Sequence, residues 1–319
     1  MADFTNFSGV TKYGTPLVSE NLEKNLVYFL QWAFLGIGAF ANVSLSSSGA
    51  YGGTYSKLRL AELDTSNSIY SKGQVWEGIR QDWIWESGVE YTTQPVAISG
   101  VYVNNVFRPT SGVGTYAHHI NYPLGRVIFD SAIPITSTVK CEHSFRYVHV
   151  TSSDAHWWRT IQFNSLRADD SQIYQYGSGA HSILAENRIQ LPAVVVEVLP
   201  RVNQHGYELG NLTKVTSKDV FFHILTEDTF NRKQLVDIFT HQQDKTIIGF
   251  DLNRIYESGL APLNSEGTPV SGFLTYPQFV NLYRKREITF SKISGESQQN
   301  KLPFYYSIVR CTFEIKTPY

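Results

Sequence analysis

Hydrophobic positions recur along the chain with periods that change from helical to alternating and back. From Ser19, a residue suited to a helix cap, Leu22, Leu26, Leu30 and Ala33 recur at helical spacing, and Val27, Phe29 and Phe34 widen the stripe. The pattern predicts a helix of about twenty residues that is apolar nearly all round, so most of its sides need cover. Gly36 and Gly38 mark its end. Upstream, residues 1–18 read as an extended arm, and the Ser/Gly stretch 44–53 as a loop. A strand over 54–63 and a turn around 64–67 are expected next. The segment 74–92 holds Trp76, Trp83 and Trp85 and suits an aromatic strand or packed loop, because Trp83 and Trp85 alternate.

From residue 89 to 151 the pattern is β throughout. Ile98, Val101 and Val103 lead into Asn104-Asn105, a pair suited to the positive-φ positions of a hairpin. Tyr122-Pro123-Leu124-Gly125 makes a second turn, and 140–150 reads as one long strand with Cys141, His143, Phe145, Tyr147 and His149 on one face. A helix-like stripe follows over 154–167, with Trp157 on it. The apolar run 191–199 and the segment 220–225 read as strands buried on both faces. Thr226 to Asp228 then supply capping groups for a helix through Gln242, with Leu235, Ile238 and Phe239 buried. A strand over 245–252 precedes two antiparallel strands, 286–294 and 304–316. In the last of these Val309, Cys311, Phe313 and Ile315 point one way, and Arg310, Thr312 and Glu314 the other. The fold class expected is α+β: a mixed or antiparallel sheet with packed helices, built from 1–88 and 152–319, plus a β-sandwich or barrel-like module at 89–151.

Composition narrows the function. Lys and Arg number 27 against 28 Asp and Glu, so no overall field draws the chain to nucleic acid or to an anionic membrane. Charged residues are 17 % of the chain and aromatics 14 %, which fits a large core and much surface covered by other protein. Cys141 and Cys311 are too few for a disulfide scaffold or a cysteine zinc cage. The first residues lack a basic segment followed by an apolar one, so no signal peptide is expected. The apolar run 26–40 is shorter than a membrane span and is interrupted by Gln31, Gly36 and Gly38. A cytosolic folding environment is expected.

Candidate chemistry is sparse. The run 36–41 superficially matches a dinucleotide fingerprint, but it follows a helix rather than a strand. His118 and His119 are adjacent on a strand and point to opposite faces, so they do not share one ion. Ser178 and His181 sit in a Gly-rich turn, where proton transfer is rarely aligned. Asp169-Asp170, and Asp82 with Glu86, are the nearest approach to paired carboxylates, and nothing in the spacing selects either pair. We therefore expect no enzyme, and no catalytic, cofactor-binding or metal site. Two interaction candidates remain. Arg284, Lys285 and Arg286 form a basic cluster suited to subunit contacts or DNA phosphates. Trp83, Trp85 and Trp157 are a candidate aromatic surface for glycan or protein, with core packing as their ordinary explanation.

Three stretches, LEKNLVYFLQWAFLGIGAFANV, VWEGIRQDWIWESG and the segment from Ile98 to Pro134, resemble structural proteins of tailed-bacteriophage virions. The C-terminal part, with LPAVVVEVLP, DVFFHILTEDTFNRKQLVDIF and VRCTFEIK, resembles tail-terminator and neck subunits. The resemblance implies a non-enzymatic virion protein assembled in the host cytoplasm. Such a protein forms a ring, usually a hexamer, that ends the tail tube and joins tail to head. Its partners would be itself, neck, tail-tube or sheath proteins and, non-specifically, the passing genomic DNA, with no membrane. The alternative is a collar, baseplate or fibre protein whose β module binds glycan.

Overall fold

A computed structural model describes residues 18–46, 51, 53–61, 69–155, 157–159, 190–206, 214–258, 261–272, 274–298 and 305–317. Residues 1–17 of the arm, the turn at 64–67, Asp169-Asp170, Ser178 and His181 lie outside these residues, as do parts of the 44–53 loop and the 154–167 stripe. The architecture is mixed α+β, mostly strands with few helices, and it includes a curled sheet that makes half a barrel.

Helix α1 (Val18–Gly36) buries Leu22, Leu26, Leu30 and Phe34 of the predicted stripe, and Leu35 in addition, while Ala33, Val27 and Phe29 are partly buried. Asn21 and Asn25 are buried with them, and the reason is a backbone they satisfy. Asn25 Oδ1 accepts from the Phe250 amide at 2.8 Å and its Nδ2 donates to the Phe250 carbonyl at 3.0 Å. Asn21 Oδ1 accepts from the Leu252 amide. These bonds pin α1 to the end of strand β13 (Thr246–Phe250), where the backbone polar groups would otherwise be buried unpaired.

Six strands make the main sheet, in the order β10 (His149–Ser152), β11 (Ala193–Gly206), β12 (Lys214–Thr226), β15 (Tyr305–Thr317), β14 (Arg284–Gln298), β13. β10 and β11 run parallel, and the other neighbours are antiparallel. Bulges interrupt β11 between Val198 and Val202 and β14 between Phe290 and Lys292, which adds local twist. Val194, Val196, Val220, Phe222, Cys311 and Phe313, all 0–1 % exposed, face α1 and helix α2 (Thr229–Thr240). Asp228 caps α2 by accepting from the Asn231 amide at 2.7 Å, and Phe239 stacks on Phe222 at 4.5 Å. Each such side chain contributes about 1.5–3 kcal/mol on burial. Two short helices, α3 (Leu252–Ser258) and α4 (Tyr276–Leu282), close the β13 end around Phe250 and Phe279.

The remaining strands form smaller sheets: β1 (Phe40–Val43) with β9 (His143–Arg146), β2 (Arg59–Leu60) with β3 (Val75–Glu77), β7 (Arg126–Phe129) and β6 (His118–Asn121), and β5 (Val106–Pro109) with β4 (Gly100–Val103) and β8 (Val139–Lys140). They surround one core that includes Val43, Trp76, Trp83, Val101, Val127, Phe129 and Phe145. Asn104 and Asn105 take φ of 50° and 65° at the β4–β5 turn, as their pairing predicts. Gly125 takes φ 61° at the β6–β7 turn, where a Cβ would meet the Arg80 carbonyl oxygen at 2.7 Å.

Three expectations change. The single strand over 140–150 is broken into β8, β9 and β10, which join three different sheets, so His143 and His149 do not share a face. The strand expected over 54–63 shrinks to β2. The sheets also do not part at residue 88, because β1 pairs with β9 and β3 with β7, both strands of the 89–151 segment. Strands of two to four residues bury a face only by pooling with others, and a local pattern does not reveal the partner.

Candidate functional site

The basic cluster at the start of β14 is largely neutralised. Arg284 is exposed and lies 3.6 Å from Glu287, and Lys285 pairs with the buried Asp251 carboxylate. Arg286 is half-buried, and that burial pulls its pKa down, against the pull of Asp251. Its Nε has no hydrogen-bond partner among the described residues. Two of the three cations thus already have an acidic neighbour, and the third is largely withdrawn from solvent.

The aromatic candidates are core residues. Trp83 is 0 % exposed, donates its indole Nε1 hydrogen to the Arg80 carbonyl at 2.9 Å and stacks on His143 at 4.2 Å. Trp157 is 6 % exposed and packs with Trp158, Val195 and Tyr306 against the main sheet. Trp85 is half-buried beneath the Arg146 guanidinium, 5.1 Å from its ring centre. Neither Trp83 nor Trp157 presents a ring to a sugar, so the expected aromatic surface is corrected to interior packing.

Beside Trp83 lies a charged cluster that the Asp82 and Glu86 pairing only hinted at. Arg146, 4 % exposed, donates to Asp82 Oδ1 at 2.9 Å and to Glu86 Oε1. His149 Nδ1 meets the other Asp82 oxygen at 3.0 Å. Burial pushes the Glu86 carboxyl up to about 7, with Arg146 pulling the other way. For Asp82, burial would raise the pKa, yet Arg146 and His149 together hold it below the ordinary value. The cluster ties the 79–86 loop and β9 to β10 at the edge of the main sheet. Its carboxylates are bridged by a cation, so neither is placed as a free acid or base.

The face of the main sheet away from α1 and α2 carries the alternate residues. At one end, Glu197, His223 and Tyr306 sit on neighbouring strands, with His223 Nε2 2.6 Å from Glu197 Oε2 and Nδ1 2.6 Å from the Tyr306 hydroxyl. The hydrogen bond from His223 lowers the Glu197 pKa, and burial drives the Tyr306 phenol up. Through these bonds the phenol, imidazole and carboxylate tie three neighbouring strands together.

Further along the same face is a polar groove of about 240 Å³, lined by Arg201, Asn203, Ser217, Asp219, Arg310 and Thr312. Asp219 accepts from Arg310 at 2.8 Å and from the Thr312 hydroxyl at 2.7 Å. Burial raises the Asp219 pKa, but its hydrogen bonds to Thr312 and Arg310, with Arg201 close by across the β11 bulge, hold it below the ordinary value. Alternation along 304–316 had already set Arg310 and Thr312 on this face. Arg201 and Asp219 were missed, because a bulge leaves no signature in the hydrophobic pattern.

The outer edge of β11 completes the picture. β10 pairs only with Ala193 to Val196, and beyond Val196 no described strand pairs with the side of β11 away from β12. Val202 on this stretch is 43 % exposed. Among the described residues no group of His, Cys, Asp and Glu is arranged to hold a metal ion, and no helix is long and apolar enough to cross a membrane. Neither a family model nor a curated protein sequence matches the chain.

Proposed function

We propose that the chain is a structural subunit of a tailed-phage virion, with a tail-terminator-like sheet, that closes a ring at the neck, ends the tail tube and joins tail to head. The phage part of this reading comes from the sequence resemblance. The assembly part is carried by the outer edge of β11, which no described strand pairs beyond Val196 and which offers a template for a strand of another copy. Head-to-tail pairing of this kind closes into a ring when the rotation between copies permits. The exposed Val202 supplies an apolar contact along that edge. Burial of Trp83 and Trp157 removes the stacking platform on which a glycan-binding reading depended.

The test is the solution mass of the purified chain by light scattering, with negative-stain imaging, alone and after adding a tail or connector protein. Rings are expected, and Val202→Lys should shift them to monomers without lowering the melting temperature. A chain that stays monomeric with every such partner would overturn the reading.

A further inference from the structure

We propose that the groove of Arg201, Asn203, Ser217 and Arg310 on the open face of the main sheet is a binding site for a phosphate group. The inventory of donors and acceptors points to an oxyanion. Both Asp219 oxygens are already engaged, by Arg310 and by the Thr312 hydroxyl. Arg310 spends one of its N–H groups on that contact and keeps the rest of its fork. Arg201 adds a second guanidinium, and Asn203 and Ser217 add an amide and a hydroxyl. With two arginines and one aspartate, the groove carries a net charge of +1 from its own lining.

The flanks are balanced. Glu314 is the register partner of Ser217, and Lys292 is the register partner of Thr312, so one charge of each sign borders the groove. Donors from four residues around about 240 Å³ exceed what the two oxygens of a carboxylate take up, and suit the several oxygens of a tetrahedral oxyanion. Guanidinium forks match phosphate geometry better than point charges do. In the sequence-evident run of Arg284, Lys285 and Arg286, by comparison, Arg284 lies beside Glu287, Lys285 pairs with Asp251, and Arg286 is half-buried. Arg201 and Arg310 share a single carboxylate, Asp219, so two guanidinium groups stand over one acid in the groove.

Two sources supply this chemistry: a free phosphate, or the phosphodiester of DNA. The site stands on the groove alone. Naming the genome as its source rests on the ring reading, in which DNA passes the subunit. The experiment uses the full chain at low salt, titrated with inorganic phosphate by calorimetry and with a fluorescently labelled DNA duplex by anisotropy. Wild type should bind both. Arg201→Ala should weaken both by about tenfold or more, since a hydrogen-bonded charged contact is lost. Arg201→Lys should recover part of the affinity, and Arg284→Ala should change little. Duplex affinity should fall steeply with added salt, and Arg201→Ala should flatten that dependence.

Binding of phosphate without duplex supports the site and rejects DNA as its source. Failure to bind either ligand, or binding that neither Arg201→Ala nor Arg310→Ala weakens, overturns the proposal. Light scattering on the same samples reports ring formation separately, so loss of the anion site and loss of the ring are told apart.

Discussion

Replacing Arg146 by methionine probes the interior cluster that joins the small sheets to the main one. The guanidinium is 4 % exposed and is the cation shared by Asp82 and Glu86, whose side chains are 9 % and 7 % exposed. Methionine fills much of the volume but leaves two carboxyl groups buried without their cation. Removing one partner of a buried pair costs about 3–5 kcal/mol, because the remaining charge stays desolvated. Glu86 can relieve part of this by keeping its proton, since burial already favours its neutral form. Asp82 has only His149 left. The expected loss is therefore near the lower end, about 3 kcal/mol. In a chain of this size that lowers the melting temperature by roughly 4–5 °C. Urea unfolding followed by tryptophan fluorescence reads it directly, since Trp83 and Trp85 adjoin the cluster. A triple variant, Asp82→Asn, Glu86→Gln and Arg146→Met, should recover most of the loss, because no buried charge remains. An Arg146→Met midpoint within about 0.5 kcal/mol of wild type, the range of ordinary surface changes, would refute the reasoning.

Three further outcomes follow from the same structure. Glu86 has a folded pKa of about 7, above its ordinary 4.5, so between those values the folded chain holds a proton that the unfolded chain has released. Its stabilising effect is therefore full on the acid side and is lost as pH rises through about 7. Glu86→Gln lacks this slope, so the stability of the variant relative to wild type should grow from about pH 5 to about pH 8 in urea titrations, and a constant difference would count against it. The comparison also cancels His143, whose pKa is held down at about 4 and whose contribution runs the other way. Asn25→Ala should cost about 1–3 kcal/mol by leaving the Phe250 amide and carbonyl unpaired, with hydrogen exchange at Phe250 rising markedly; unchanged exchange there would contradict the pinning of α1. Asp228→Ala removes the cap of α2 and should cost about 0.5–2 kcal/mol, read by chemical unfolding, whereas Asp228→Asn should cost far less.

How much of this was legible in the sequence depends on how local each signal was. β15 was plain, because Val309, Cys311, Phe313 and Ile315 all bury on one face and the intervening residues lie on the other. α2 was plain as well, since Asp228 announces its start and Leu235 and Phe239 its buried side. The segment 140–150 misled because its alternation continues unbroken while the chain changes partners twice, and periodicity does not record partners. Asn21 and Asn25 do not belong to the apolar stripe of α1, yet they are buried because the β13 backbone needs donors and acceptors there. The same applies to function. A run such as Arg284 to Arg286 is conspicuous because it is contiguous, while Arg201 and Arg310 are over a hundred residues apart and meet only through strand pairing. Asp82 and Glu86 were visible as a pair, but the cation between them comes from a strand sixty residues later.

The place of β15 in the main sheet has a consequence for how the protein is made. It lies between β12 and β14, yet it follows both in the chain. Until its residues leave the ribosome, those two strands have no partner on their facing sides, and the apolar surface shared with Phe313 and Cys311 is incomplete. Roughly ninety residues separate the end of β12 from the end of β15, which at about 5–20 residues per second leaves several seconds of exposure. During that interval a nascent chain offers edges to its neighbours on the same message that the finished subunit has closed. Slow decoding after β12 would therefore lower the yield of usable subunits, and early chaperone engagement over that stretch would raise it.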